Sequence, residues 1–301
     1  MLKTTASRLA AFSVGLALAA GSAAAIGAAT GATPPFQDCL KVAAANDGFG
    51  NQTMADGGHG APAMIEAVPG SDGLHAQLAG LRLAPLSRTL TAGASTTWRF
   101  RIIGCDGNPV RHFDRDNTKL LHLIVVRTDL SDYQHLHPTL GPDGTWTINL
   151  RTLRPGSYRA ITDFVIDGRK YVLGTNLTAP GPQRSIPLPA PALESSVDGY
   201  DVELQRPALL SAGHEAQLTF RITRHGQTIN DLEPYLGSYG HLVALHAPEL
   251  AYSHVHPISA DPASGAITFN TELTERGTYR LFLQFQTNGH VHTVAFTQTI
   301  S

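Results

Sequence analysis

A block of sequence occurs twice in this 301-residue chain, and histidines mark it. His122, His135 and His137 recur as His241, His254 and His256, each 119 positions on, with His135-Leu136-His137-Pro138 answered by His254-Val255-His256-Pro257. The correspondence extends in both directions. Trp98-Arg99-Phe100-Arg101-Ile102 matches Leu218-Thr219-Phe220-Arg221-Ile222, and Pro155-Gly156-Ser157-Tyr158-Arg159 matches Arg276-Gly277-Thr278-Tyr279-Arg280. A long block present only twice indicates tandem domains rather than a solenoid, whose periods run to about 20–50 residues. The spacing drifts slightly along the block, which puts short insertions between strands.

Composition narrows the partners. With a net charge of −2 and 15% charged residues, the chain lacks the field that attracts nucleic acid or anionic lipid. Fourteen histidines are its one excess.

The N-terminus reads as a targeting segment. Lys3 and Arg8 precede an uncharged, Ala-rich run from Leu9 to Ala29, with small-residue cleavage candidates around Ala23-Ala24-Ala25 or from Ala29 to Ala32. Two readings stay open, a cleaved signal peptide and a retained membrane anchor, and both imply export. In an exported protein Cys39 and Cys105 can pair, or remain two thiols. The sequence divides into a leader (1–32), a flexible Gly/Ala/Asp/Asn-rich stalk (33–73), a first domain (74–178), a Pro-rich linker (179–197) and a second domain (198–301). Pro180, Pro182, Pro187, Pro189 and Pro191 mark the linker as stiff and extended, a spacer expected to keep the domains from closing a large interface.

Each domain reads as antiparallel β. Short runs of β-branched and aromatic residues are bounded by Gly, Pro, Asn and Asp, and no helical period is sustained. Asn288-Gly289, and Asp167-Gly168 at the matching place, call for the positive φ angles of a type I′ hairpin turn. Gly-Ser-Tyr158 and Gly-Thr-Tyr279 fit the buried corner tyrosine of Ig-like sandwiches. The fold class is therefore all-β, two tandem Ig-like antiparallel β-sandwich domains after an N-terminal signal or anchor segment.

Strand geometry gives the histidines a common direction. Residues i and i+2 share a face, so His135 and His137 point together, as do His254 and His256. An antiparallel hairpin around Pro248-Glu249 sets His241 opposite His256, and one centred on Asp129-Leu130 sets His122 opposite His137. Opposed side chains have Cβ atoms about 4.5–5.5 Å apart, close enough for imidazoles to share one ion. His290-Val291-His292 adds a further same-face pair in the second domain, where the first has Arg169 and Tyr171. The expected ligands are thus His241, His254, His256, His290 and His292 in a tighter C-terminal site, and His122, His135 and His137 in an N-terminal one. His75, His112, His214, His225 and His246 are read as surface or loop residues.

All-imidazole sites suit Cu(II) first and Zn(II) second. Neither cysteine lies near a histidine pair, which disfavours a blue-copper centre. Because imidazole binds metal only when neutral, affinity should fall below roughly pH 6. A histidine before proline at a strand end often does no more than cap the strand. Two copies, a matched third histidine and an extra pair favour metal.

The chain resembles secreted actinobacterial proteins with paired Ig-like sandwiches carrying His-x-His-Pro and a Tyr-Gly-His-Leu run, here Tyr239-Gly240-His241-Leu242. More distantly it resembles YtkA-like and CopC-like β-sandwich modules. That resemblance implies extracytoplasmic copper handling. The expected function is an exported, non-enzymatic protein that buffers copper or zinc or delivers it to a membrane transporter or metalloenzyme, secreted or held at the cell envelope. Two alternatives stand beside it. One is a structural or adhesive Ig-like envelope protein; the other is a zinc-dependent hydrolase with Asp132 or Glu249 moving protons.

Overall fold

The computed structural model describes residues 65–255 and 257–301, and among them there is no α-helix. The first domain contains β1 (Glu66–Ala67), β2 (Gln77–Leu78), β3 (Leu81–Pro85), β4 (Thr96–Ile103) and β5 (His122–Arg127). It continues with β6 (Gln134–Leu136), β7 (Thr139–Leu140), β8 (Thr145–Leu150), β9 (Gly156–Ile166) and β10 (Arg169–Ala179). The second contains β11 (Glu194–Val197), β12 (Tyr200–Gln205), β13 (Glu215–Arg224), β14 (Gln227–Thr228), β15 (Leu232–Glu233) and β16 (His241–Ala247). It ends with β17 (Tyr252–Val255), β18 (Pro257–Asp261), β19 (Ala266–Glu272), β20 (Gly277–Thr287) and β21 (His290–Ile300).

In the first domain, sheets ordered β2-β3-β4-β8-β7 and β1-β10-β9-β5-β6 enclose one core. Alternation along β4 shows why: Trp98, Phe100 and Ile102 are buried while Arg99 is exposed, the period-2 pattern of a half-solvated strand. The second domain repeats the plan with β11-β12-β13-β19-β18 facing β15-β20-β16-β17, β21 pairing with β20. Phe220, Phe269, Phe285 and Phe296 fill its interior. Both hairpin turns take the form their residues require, with φ of +50° and +72° at Asp167-Gly168 and +48° and +73° at Asn288-Gly289. The corner tyrosines also find partners. The Tyr158 hydroxyl lies 2.7 Å from the Arg154 carbonyl, and that of Tyr279 accepts from the Glu275 amide at 3.2 Å.

β5 and β16 break the alternation, because every residue of β5 and all of β16 except its last is buried. Leu123 and Val125 point into their own sandwich. Ile124 and Val126 point the other way, onto Val243, Leu245, Leu250, Tyr252 and Phe282 of the second domain. A third apolar core thus lies between the domains, which corrects the expectation that the linker holds them apart. Prolines stiffen a segment without setting the distance between its ends, and the ten side chains of this core, each worth about 1.5–3 kcal/mol when fully buried, decide the matter. The linker is a strap across the junction. Leu188 packs against the shared core, the Arg127 guanidinium donates to the Arg184 carbonyl at 2.9 Å, and the Ile186 amide donates to Asp129 at 2.9 Å.

The end of the expected stalk is also structured. β1 pairs in parallel with β10, and Val68 is buried in the first core, since a valine beside an open strand edge has apolar surface to cover. Residues 1–64, including the leader and the rest of the stalk, lie outside the described residues. Cys105 is disulfide-bonded, and Cys39, the chain's other cysteine, lies outside them too.

Candidate metal centre

The β5–β6 hairpin places Leu123 opposite Leu136 and Ile124 opposite His135, the register that brings His122 toward His137. His122 shares the face of Ile124 two residues on, so all three imidazoles gather on the side of the sheet that the second domain covers. Nδ1 of His122 lies 3.1 Å from Nε2 of His135 and 3.3 Å from Nε2 of His137, and the three nitrogens fall within 4.8 Å of one another. Two nitrogens each about 2.0–2.1 Å from one tetrahedral ion are roughly 3.3 Å apart, so the spacing fits a single transition-metal cation. His122 and His135 are buried, and His137 is half-buried.

The outer nitrogens define the protonation of the inner ones. Nε2 of His122 is 3.1 Å from the Asp116 carbonyl oxygen, and Nδ1 of His135 is 2.7 Å from Oε1 of Gln284. Carbonyl oxygens only accept, so both outer nitrogens carry hydrogen. Gln284 is held in this orientation because its Nε2 donates to Thr293 Oγ1 at 3.1 Å. With their protons on the outer nitrogens, His122 Nδ1 and His135 Nε2, 3.1 Å apart, are the ring atoms able to ligate a cation. Burial, then the neighbouring His122 and His137 imidazoles, push His135 well below the ordinary value of 6.5 against the opposing Gln284 hydrogen bond. Neutral imidazole is the form that ligates.

A buried charge cluster adjoins the triad. Asp163 stands directly opposite His122 in the β5–β9 ladder, and its Oδ2 accepts from the Tyr252 hydroxyl of the second domain at 3.0 Å. Lys170 Nζ lies 2.7 Å from Asp116 and 3.8 Å from Asp163. Burial lowers the Lys170 pKa, but Asp163 and Asp116 outweigh it and hold the ammonium above its ordinary value. Two buried carboxyl groups thus share one ammonium beside the histidines.

In the second domain, Nε2 of His241 lies 2.8 Å from the Tyr235 carbonyl oxygen, repeating the relation of His122 to Asp116. The His241 ring centroid is 6.4 Å from that of His135 across the domain junction. The backbone of His254 stands opposite Val243. His256 and the side chain of His254 lie outside the described residues.

His290 and His292 do not join His241, and the expected five-imidazole site is not assembled. His241 is opposite Gln284 and Gln284 is opposite Thr293, so Thr293 shares the face of His241 while the residue before it points the other way. His292 accordingly turns inward against Phe285 and Tyr200, with Nδ1 2.8 Å from Asp198 and Nε2 3.1 Å from Thr287 Oγ1. His290 is exposed beside the turn. The reason for ranking the C-terminal site tighter goes with them. His246 is also not a surface residue: it is buried, with Nε2 3.0 Å from the Arg276 carbonyl and Nδ1 2.9 Å from Glu249. His75, His112, His214 and His225 are exposed.

Gln284, Asp116, Asp163 and Lys170 escaped the reading of the sequence. Two of them carry a signal: Asp163 interrupts the apolar run Ala160 to Ile166, and Gln284 interrupts Leu281 to Phe285. A polar residue flanked by strand hydrophobics is buried among them and needs a partner. The candidate proton carriers sit elsewhere, with Asp132 bound to Arg154 at 2.6 Å and Glu249 bound to His246.

A family model described as a domain of unknown function (DUF8832) matches residues 76–181 and again residues 195–301. No curated protein sequence matches the chain. Among solved structures, the Escherichia coli adhesin FdeC is similar at 13% identity and a TM-score of 0.24, over 74% of this chain and 64% of that one. The Yersinia pseudotuberculosis adhesin InvE is similar at 13% identity and a TM-score of 0.24, over 72% and 58%. A two-domain fibronectin type III segment of chicken tenascin is similar at 10% identity and a TM-score of 0.22, over 70% and 95%. The chain spans less than two thirds of either adhesin structure.

Proposed function

We propose that this chain, which belongs to the DUF8832 family and carries its domain twice, is an extracytoplasmic metal-binding protein holding Cu(II), or Zn(II), on His122, His135 and His137. One observation carries the reading. Two imidazoles whose outer nitrogens donate to carbonyl oxygens turn their inner nitrogens toward each other at 3.1 Å, and the third imidazole brings its own nitrogen within 4.8 Å of both. Among the described residues the set is three imidazoles, a ligand type that suits borderline cations. By sequence repeat alone, His241, His254 and His256 are the counterpart residues, and the proposal extends to them as a second site. The role is storage or delivery to a transporter or metalloenzyme rather than hydrolysis, because Asp132 and Glu249 are engaged away from the triad.

Calorimetric titration of the metal-free protein with Cu(II) and with Zn(II) tests the proposal. Saturable binding is expected, and the combined His135→Ala and His137→Ala variant should lose one equivalent. Unchanged stoichiometry and affinity in that variant would remove the triad as a site.

A second reading is a structural or adhesive element of the envelope, supported by the apolar core that locks the two domains into one unit. Thermal melts separate the two. A ligand that binds only the folded state raises the midpoint, by an amount equivalent to about 2.7 kcal/mol at a hundredfold excess over Kd. A midpoint indifferent to Cu(II), Zn(II) and Ni(II) would favour the structural role.

A further inference from the structure

We infer that Gln284, a residue of the second domain, is the positioning residue of the first domain's metal site, so that ion binding and domain docking are one linked equilibrium. The inference rests on the metal reading of His122, His135 and His137 and adds what controls it. His135 reaches the junction from β6, and its Nδ1 finds its acceptor across the junction in Oε1 of Gln284, 2.7 Å away and 149 positions along the chain. That hydrogen bond keeps the proton on Nδ1, so that Nε2, 3.1 Å from His122 Nδ1, is the ring's ligating atom. The amide is itself fixed from β21, where Thr293 Oγ1 accepts from its Nε2 at 3.1 Å. Thr293, Gln284 and His135 thus form a relay that crosses from one domain to the ligand of the other.

Ligating histidines depend on the partner of their other nitrogen, and losing such a partner typically weakens metal binding about 10–100-fold. Here that partner comes from a separate folding unit. If docking raises affinity for the ion by some factor, the ion must tighten docking by the same factor. The junction supplies the rest of the geometry, with the Tyr133 ring stacked on Phe282, two residues before Gln284.

The full chain with three substitutions tests this, with Zn(II) and Cu(II) affinities measured by competition against a chelator. Gln284→Met keeps volume and removes the acceptor, so affinity at the triad should fall about 10–100-fold. Gln284→Glu keeps an acceptor for His135 Nδ1 and adds a negative charge beside the ligands, so affinity should be retained or rise. Thr293→Val releases the amide to rotate and should weaken binding in the same direction as Gln284→Met, which keeps the test available if the methionine variant does not fold. The metal-free melting temperatures serve as control, since a merely structural role moves them without separating the methionine from the glutamate variant in affinity. Wild-type affinity in a folded Gln284→Met or Thr293→Val protein overturns the inference while leaving the triad standing. Wild-type affinity in the His135→Ala, His137→Ala protein would instead defeat the metal reading on which it rests.

Discussion

The ring of Tyr133 lies flat on that of Phe282, centroids 3.9 Å apart and planes 6° from parallel, and so joins the hairpin loop of the first domain to β20 of the second. Tyr252, its repeat counterpart 119 positions on, makes the reverse crossing, from the second domain to Asp163 on β9 of the first. The same position of each repeat therefore reaches across the junction into the other domain, by a different contact in each direction.

The two tyrosines should nevertheless respond oppositely to the same substitution. The Tyr252 hydroxyl donates to a buried carboxylate, whereas that of Tyr133 is buried with no hydrogen-bond partner among the described residues. Hydrogen bonds to charged groups contribute about 1.5–3 kcal/mol, and an unsatisfied buried polar group costs about 1–3 kcal/mol. Tyr252→Phe should lower the chemical-denaturation midpoint, and Tyr133→Phe should leave it unchanged or raise it. A large loss from Tyr133→Phe would contradict the assignment.

Phe282→Ala tests the shared core itself. Removing a buried phenylalanine costs about 3–5 kcal/mol, and here the loss falls on the contact between domains. Calorimetry should show the single unfolding transition of the wild type broadening or dividing in two, with the second domain's own core, lined by Phe220 and Phe269, still melting cooperatively. One sharp transition at a uniformly lower temperature would mean that Phe282 supports its own sandwich more than the junction.

The hairpin register was legible because a strand pair centred on Asp129-Leu130 can align His122 with His137 in only one way, and the observed pairing of Leu123 with Leu136 has that alignment. The junction was not, although its cause lay in the open. Leu123-Ile124-Val125-Val126 and Leu242-Val243-Ala244-Leu245 have no polar alternation, the mark of a strand covered on both faces. Five prolines drew the reading toward a spacer instead. His290 and His292 were misplaced because their face depends on parity carried through two successive ladders, from His241 to Gln284 to Thr293, and one residue of register reverses it. The role of Gln284 could be seen only once the domains were known to dock.

Acid should weaken the corner of the first domain. Burial raises the Asp132 pKa, but hydrogen bonds and charge from Arg154, with a hydrogen bond from Tyr158, outweigh it and hold the carboxyl below its ordinary value. A depressed carboxylate contributes stability that is complete above the unfolded value of about 3.9 and is lost as pH falls toward the folded one. Stability measured by denaturant titration should therefore decline below about pH 4, and Asp132→Asn should flatten that decline while lowering stability at neutral pH. The same acid slope in wild type and variant would show that Asp132 is not the group responsible.

A buried acidic residue beside the triad distinguishes the two halves of the molecule. Where the first domain has Asp163 opposite His122, the second has the neutral Gln284 opposite His241. A negative charge across the ladder from a ligand favours the cation, and the site is too buried for salt to screen it as it screens surface charge. Asp163→Asn should weaken Cu(II) or Zn(II) binding at His122, His135 and His137 by about tenfold, in the range seen when groups around metal ligands are altered. The loss should change little between low and moderate ionic strength. Competition titrations at two salt concentrations measure both quantities, and unchanged affinity in a folded Asp163→Asn protein would assign this carboxylate to the Tyr252 contact alone.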